Sequence, residues 1–441
     1  MSKVAENSYL IEDWTDYDKS SLYNLSTKYY SERACDSFLN QADTTVLPNV
    51  VTSAYIHAYI LAQLLAANLS RIPADKKLRV LEFGSGSGLF ARHFLLAAAE
   101  LNYLDRLEFL VSDISDLFLI QMKERGVFEE FTEGKHYQLV NLNLLDLDSA
   151  KTVTGEHINL NDLDLVVSNY VLNALPMIPV RLAVEGSFEK LQIKITGPEL
   201  PQEVDLVSNL NFFSSLKIEE RWVDYDIESV SDIEKKYFEI FKKHMNTLAP
   251  AMAGHFSYKA LEAMDKIHSK LSEFGMFYLA DIPSWGPNAF KFYSFYTNAL
   301  ANLISENLVI DFASSLGMEV LKQKDQSLFR ILFYKSENTF EPLKTSFNKD
   351  LVFSNKVNLF KKISDLLKNI DDAALLDVYK TLLDKLLALD NKSVTSLVFQ
   401  GDYYYLAGDS KTALDFYKKA QAIDFCNHHP DLDSKIKMIF I

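Results

Sequence analysis

Leu81-Glu82-Phe83-Gly84-Ser85-Gly86-Ser87-Gly88-Leu89 is the stretch on which the reading of this chain turns. An apolar run, 78–83, leads into three glycines at i, i+2 and i+4, and an apolar helical pattern, 89–101, follows. Glycines between a buried strand and a helix let the backbone approach a ligand closely, and the helix N-terminus presents free N–H groups to it. A dinucleotide-binding turn wants G-x-G-x-x-G, which needs glycine at position 89, where this chain has Leu89. Glu82 stands two residues before Gly84. An acid there suits a ligand with an ammonium beside a sulfonium and repels a pyrophosphate. S-adenosylmethionine is therefore the expected cofactor, with Glu82, Gly84, Gly86 and Gly88 around it.

Outward from the loop, short apolar runs alternate with helical stretches. Strands are expected at 78–83, 107–112, 137–142, 163–168 and 276–280, with two closing strands at 319–323 and 329–334. Helices are expected at 54–70, 89–101, 114–125, 260–273 and 308–316, the first capped by Thr52-Ser53. Apolar strands joined by helices indicate a doubly wound, mostly parallel α/β sheet of seven strands, covered on both faces. Asp113, just after the second strand, is placed to accept hydrogen bonds from both ribose hydroxyls, although capping the following helix is as ordinary a role. Asn143 and Asp146, after the third strand, are candidates for the adenine amino group, or turn residues making local bonds. The fourth strand ends at Asn169-Tyr170-Val171-Leu172-Asn173-Ala174-Leu175-Pro176, beside the topological switch point where ligands bind. There Asn169 is expected to bond the cofactor or a substrate nitrogen and Tyr170 to line the acceptor pocket. Asp281, at the end of the fifth strand, is the first candidate for a base, Tyr170 its hydrogen-bonding partner, and His255, read as a loop residue, the alternative base.

At 441 residues the chain is too long for one core. Four segments are read: a helical one at 1–45; the α/β domain at 46–183 and 257–340; an inserted cap over the acceptor side at 184–256, with an acidic helical stretch at 224–244; and a helical region at 341–441. Within the last, Gly401, Tyr404, Gly408, Ala413, Tyr417 and Ala420 fall at the spacing of one tetratricopeptide repeat. One repeat cannot bury its own face, so this tail must pack on other helices or on the α/β domain, and it offers a surface for a protein partner or a homodimer.

A formal charge of −15 argues against a nucleic-acid-binding surface, which needs a basic stripe to offset phosphates. The two cysteines, Cys35 and Cys426, give no disulfide framework. Residues 1–16 carry acidic groups and no apolar core, and no apolar run is long enough for a membrane span, so a cytoplasmic protein is expected. Cys426-Asn427-His428-His429 has metal-ligand residue types but no second cluster, so no metal is expected.

Several segments in order resemble the MidA-like methyltransferases, relatives of the mitochondrial complex I assembly arginine methyltransferase. They are Tyr29-Tyr30, Thr52-Ser53 with its helix, the run 81–88, Val111-Ser112-Asp113-Ile114-Ser115, the strand leading to Asp281 and the helix at 311–317. The segment from Asn169 to Pro176 is similar to that family's Asn-Glu-x-x-Asp-Ala-Leu-Pro. The resemblance covers about residues 25–335 and implies a Rossmann-like class I methyltransferase acting on a protein, peptide or small molecule. Departures fall on the acceptor side: Tyr170 and Asn173 stand where the family has Glu and Asp, Ala54 replaces a proline, and Asp281-Ile282-Pro283 replaces Asp-Tyr-Gly. Carboxylates are the best partners of a guanidinium, so their loss shifts the expected acceptor from arginine to a neutral amide, hydroxyl or amine. It also leaves open a cofactor-binding assembly or scaffold protein without turnover.

Overall fold

The computed structural model describes residues 9–34, 54–198, 212–245, 253–281, 293–296, 299–324, 329–335, 359, 362–368, 373–425, 429 and 431–440. In chain order its elements begin with β1 (Tyr9–Asp16), α1 (Ser21–Arg33), α2 (Tyr55–Ala67), β2 (Leu78–Phe83), α3 (Leu89–Glu100), β3 (Leu107–Asp113) and α4 (Asp116–Glu124). Next come β4 (Tyr137–Asn143), β5 (Asp146–Thr152), β6 (Leu163–Asn169), β7 (Ile178–Leu182), β8 (Phe188–Gly197), β9 (Lys217–Asp224), α5 (Asp232–Met245), β10 (Ala253–Phe256), α6 (Tyr258–Lys270) and β11 (Leu271–Asp281). The chain continues with β12 (Tyr293–Tyr296), β13 (Ala299–Asn302), α7 (Glu306–Ser315), β14 (Glu319–Lys324) and β15 (Phe329–Tyr334). Four helices follow: α8 (Ala373–Leu387), α9 (Val394–Leu406), α10 (Ser410–Ile423) and α11 (Leu432–Met438). Two compact units result: unit 1 is Met1–Arg33, Asn143–Asp148 and Ser168–Ser336, and unit 2 is Ala34–Leu142, Ser149–Val167 and Glu337–Ile441.

Unit 2 carries the parallel strands. β2 pairs β3 and β3 pairs β4, both parallel, and the order there is β6-β2-β3-β4-β5. Leu78, Val80, Leu81 and Phe83 are all buried, as are all seven residues of β6, which is what a sheet covered on both faces requires. β5 extends this edge beyond the expected strands. Only Leu147 and Ala150 of it are buried, too little alternation to stand out from a turn in sequence. Helix α2 packs on α3, with the Tyr55 and His93 rings 5.8 Å apart and the His57 and Phe90 rings 5.4 Å apart. Its N-cap is Ala54, which makes no side-chain capping bond; Thr52 and Ser53 lie outside the described residues.

The helical tail belongs to the same unit. Gly401 of α9 lies against the Tyr417 ring of α10 so closely that a Cβ there would sit 2.3 Å from a ring carbon. Tyr417 donates to Asp402 at 2.7 Å, and Lys435 of α11 donates to the same oxygen at 2.6 Å. The tail also reaches the α/β layer. Arg125, after α4, donates to the carbonyl of Phe425 at 2.6 Å, and the Arg92 guanidinium of α3 lies 5.8 Å from the Phe425 ring centroid. Lys392 pairs with Glu100 and sits 4.2 Å from the Tyr55 ring centroid. Within unit 2 the tail helices thus touch both one another and the α/β layer.

Unit 1 holds two further groups of strands. β11, β15 and β14 are antiparallel neighbours in that order, and supply the last three of the seven expected strands. The second group is an antiparallel sheet, β1-β8-β7-β10, with β9 on the other side of β8. Leu191, Ile193 and Ile195 of β8 point inward against Tyr17, Leu22, Tyr23, Tyr29, Phe212 and Phe213, the alternation that a half-buried strand shows. This sheet corrects two expectations. Residues 9–16 form a strand rather than a helix, because their pairing partner is β8, too far along the chain to leave a local signal. The helix expected at 224–244 begins at Asp232, because residues up to Asp224 are drawn into pairing with β8.

Among the described residues no helix is long and apolar enough to cross a membrane, and no cluster of His, Cys, Asp and Glu is arranged to hold a metal ion. Cys35, Cys426 and His428 lie outside the described residues. His429 is engaged in the tail, its ring nitrogen 3.0 Å from the Thr395 hydroxyl and its N–H donating to Asp424 at 2.9 Å.

Candidate cofactor and acceptor sites

In unit 2 the loop between β2 and α3 holds Gly84, Gly86 and Gly88 at φ of 58°, 53° and 75°. All three lie in the left-handed region that other residues enter at a cost. At Gly88, the N-cap of α3, space forbids a side chain as well: a Cβ would lie 3.0 Å from the Met122 sulfur and 3.2 Å from Phe128. The loop is pinned to β3 by serines. Ser85 donates from its N–H (2.9 Å) and its hydroxyl (3.1 Å) to the Ser112 carbonyl, and the Ser112 hydroxyl donates to the Glu82 carbonyl at 2.6 Å.

Asp113 joins the same cluster. One carboxylate oxygen accepts from the Gly86 N–H at 3.2 Å, and the other from the Ser115 N–H at 2.9 Å. The second bond makes a turn of residues 113–115, which is why α4 starts at Asp116 and not at the expected 114. Burial pushes the Asp113 carboxyl up to about 6, against the lowering effect of these N–H groups. Glu82 is only 2% exposed, and its Oε2 is buried with no hydrogen-bonding partner. Burial, and then the charge of Asp113, push its carboxyl well above the ordinary range, while a bond from Ser85 works the other way. Two desolvated carboxylates under a crown of left-handed glycines lack a positive partner. An ammonium and a sulfonium satisfy that requirement, so these residues fit S-adenosylmethionine.

Unit 1 contains the other candidates. Asn169 is buried at the end of β6. Tyr170 follows at φ 57°, a left-handed conformation in a bulky residue, with its N–H donating to the Ala280 carbonyl at 2.9 Å. Asp281 is fully buried, and its Oδ2 accepts from the Asn173 N–H at 3.1 Å. Tyr170, Asn173 and Asp281 are therefore brought together, and Asp281 has a backbone-holding contact that its place in the sequence did not disclose. His255 lies in β10 and is not a loop residue; burial pushes its imidazole down to about 4, so it is neutral at neutral pH. Asn143 is exposed and accepts from the Leu145 N–H at 2.9 Å, the local turn bond of its alternative reading. Asp146 is exposed at the start of β5. Ser85 and Ser112 are the residues that the sequence reading missed; a serine directly before Asp113 in an otherwise apolar strand was the available sign.

Solved structures align with this chain over much of its length. A superfamily protein from Burkholderia thailandensis, with S-adenosyl-homocysteine bound, aligns at a TM-score of 0.49 and 13% identity over 74% of this chain and 89% of that one. A native crystal structure of a protein of the same superfamily from that organism gives 0.48 and 13% over the same shares. The magnesium protoporphyrin IX methyltransferase of Synechocystis PCC 6803, with SAM bound, aligns at 0.33 and 10% over 71% of this chain and 97% of that one. No family model and no curated protein matches the sequence.

Proposed function

We propose that the chain is an S-adenosylmethionine-dependent methyltransferase of MidA-like type, acting on nitrogen or oxygen of a protein, peptide or small-molecule acceptor. The buried, unpartnered Oε2 of Glu82, next to Asp113 beneath the glycine crown, carries this reading. Glu82 binds the ammonium of the cofactor's methionine end, Asp113 accepts from ribose hydroxyls with the lone pairs its backbone bonds leave over, and the loop N–H groups hold the carboxylate end. When bound, the cofactor supplies a methyl group that leaves its sulfonium as the acceptor atom attacks in line. The chain's task is then positioning and the exclusion of water, which together provide a large share of such a barrier.

Tyr170, held in a left-handed conformation that costs on the order of 1–3 kcal/mol, marks the acceptor side. With Tyr170 and Asn173 in place of carboxylates, that side suits a neutral acceptor over a guanidinium. Asp281 takes the acceptor's proton in this scheme, with acceptor capacity beyond the one Oδ2 bond from the Asn173 N–H. The loss of carboxylates at Tyr170 and Asn173 motivates the second reading, in which the fold binds cofactor without turnover and the tetratricopeptide-like tail recruits a partner. Calorimetric titration with S-adenosylmethionine and S-adenosylhomocysteine tests the shared premise. Micromolar binding is expected, weakened about 10- to 100-fold in Glu82→Ala, the loss of a charged hydrogen bond; no binding at high micromolar cofactor overturns both readings. S-adenosylhomocysteine formation with a panel of amides, amines and phenols then separates enzyme from scaffold.

A further inference from the structure

The segment after β6 is fastened at three backbone points, and two of the three fastenings come from parts of unit 1 that the reaction scheme does not use. Asp281 accepts from the Asn173 N–H. The Tyr23 hydroxyl, on α1, accepts from the Met177 N–H at 3.3 Å. The Asn302 amide, on β13, donates to the Leu175 carbonyl at 2.9 Å. Tyr23 in turn donates to the Asn302 Oδ1 at 3.2 Å, and Tyr17 donates to the same oxygen at 2.8 Å. Tyr17, Tyr23, Asn302 and Met177 are all buried, and the Leu300 N–H donates to the Ser26 hydroxyl at 2.9 Å, which ties β13 to α1 directly.

In this network the Asn302 Oδ1 accepts from two tyrosines and the Tyr23 hydroxyl both donates and accepts. The Tyr23 oxygen uses its donor on Asn302 and an acceptor on Met177, and the Asn302 amide uses both its oxygen and its nitrogen. Buried bonds of this kind are costly to break one at a time, because the partner left behind is desolvated. Along the fastened stretch Ala174 is exposed and Leu175 and Pro176 are half-buried, so the chain is held at 173, 175 and 177 with Ala174 toward solvent.

We infer that Tyr23 and Asn302 are positioning residues for the acceptor-side segment 173–177, and that the N-terminal strand and helix serve to deliver Tyr17 and Tyr23 to it. The inference rests on the acceptor role proposed for this segment. Amide hydrogen exchange in the full-length protein, followed by mass spectrometry, tests it without needing the acceptor. Tyr23→Phe, which removes one oxygen, is expected to raise exchange of peptides covering 173–177 at least tenfold while peptides covering 84–88 stay as in the wild type. Asn302→Asp keeps the acceptor for the tyrosines and loses the donor to Leu175, and is expected to loosen the same peptides. Tyr17→Phe leaves the Met177 and Leu175 bonds in place and is expected to have a smaller effect. S-adenosylmethionine affinity should stay within twofold in all three, and turnover at saturating cofactor should fall at least tenfold in Tyr23→Phe. Unchanged exchange at 173–177, or an increase spread evenly over the chain, overturns the inference. Loosened exchange in a protein that binds no S-adenosylmethionine would instead keep the clamp and overturn the methyltransferase reading.

Discussion

Glu82 and Asp113 show how two side chains can be ready for a ligand at the expense of the empty protein. Both carboxyls titrate above their ordinary values in the folded chain because burial disfavours their charge. For Asp113 the folded chain therefore holds its proton more tightly than the unfolded one between about pH 4 and pH 6. The stability this contributes is full below the lower value and lost as pH rises through the upper one. A rise from 3.8 to about 6 corresponds to on the order of 3 kcal/mol. Denaturation of the cofactor-free protein should accordingly show a decline from pH 4 to pH 6 that is shallower in Asp113→Asn, and equal slopes in the two proteins would refute it. Cofactor affinity should run the other way, strengthening over the same window as the Asp113 carboxylate ionises. The glycine spacing, Glu82 and Asp113 stand out in the sequence because they are neighbours along the chain or at the end of adjacent strands. For Asn143 the sequence leaves two readings, since a side chain facing a ligand and one closing its own turn look alike in a list of residues, and the structure adds the turn bond.

At the level of elements, β2, β3, β4 and β6 were legible close to their ends, since each is a short, mostly apolar run bounded by polar or glycine-rich residues. What stayed hidden was the second sheet. β1 and β9 both owe their extended conformation to β8, and a strand whose partner is distant carries only a weak period-two signal. The helical pair α9 and α10 was legible through its small residues, and Gly401 gives that reading a sharp test. Tyr417 is fixed by its bond to Asp402, so its ring cannot yield to a methyl group at 401. Gly401→Ala, which improves helix propensity by about 1 kcal/mol in isolation, should therefore destabilise the protein by about 1–3 kcal/mol. A stabilised variant in chemical denaturation would show that the two helices are free to part.

For the whole molecule, neither compact unit is a continuous piece of chain. Unit 2 draws its last helices from the far end of the sequence and joins them to β2, β3 and β4. Arg125 is the contact to test, because it reaches from beside α4 to the carbonyl of Phe425. Arg125→Ala should lower the stability of unit 2 by about 1–3 kcal/mol, as expected for a charged hydrogen bond in a half-buried place. A tail that folds independently would leave the main unfolding transition unmoved. The sequence carried the need for such packing, since one repeat cannot cover its own face, but not the surface that meets it.

The pairing of β1 with β8 has a consequence in time. On a ribosome adding about 5–20 residues per second, β1 is made roughly 10–40 seconds before the strand that will cover it. Throughout that interval Ile11 and Trp14 must wait beside a nascent chain whose own edges are forming. The pace of synthesis between the two strands is therefore expected to affect the yield of this fold. A slow stretch of translation upstream of residue 188 lengthens the wait, whereas one downstream of residue 197 gives the sheet time to close.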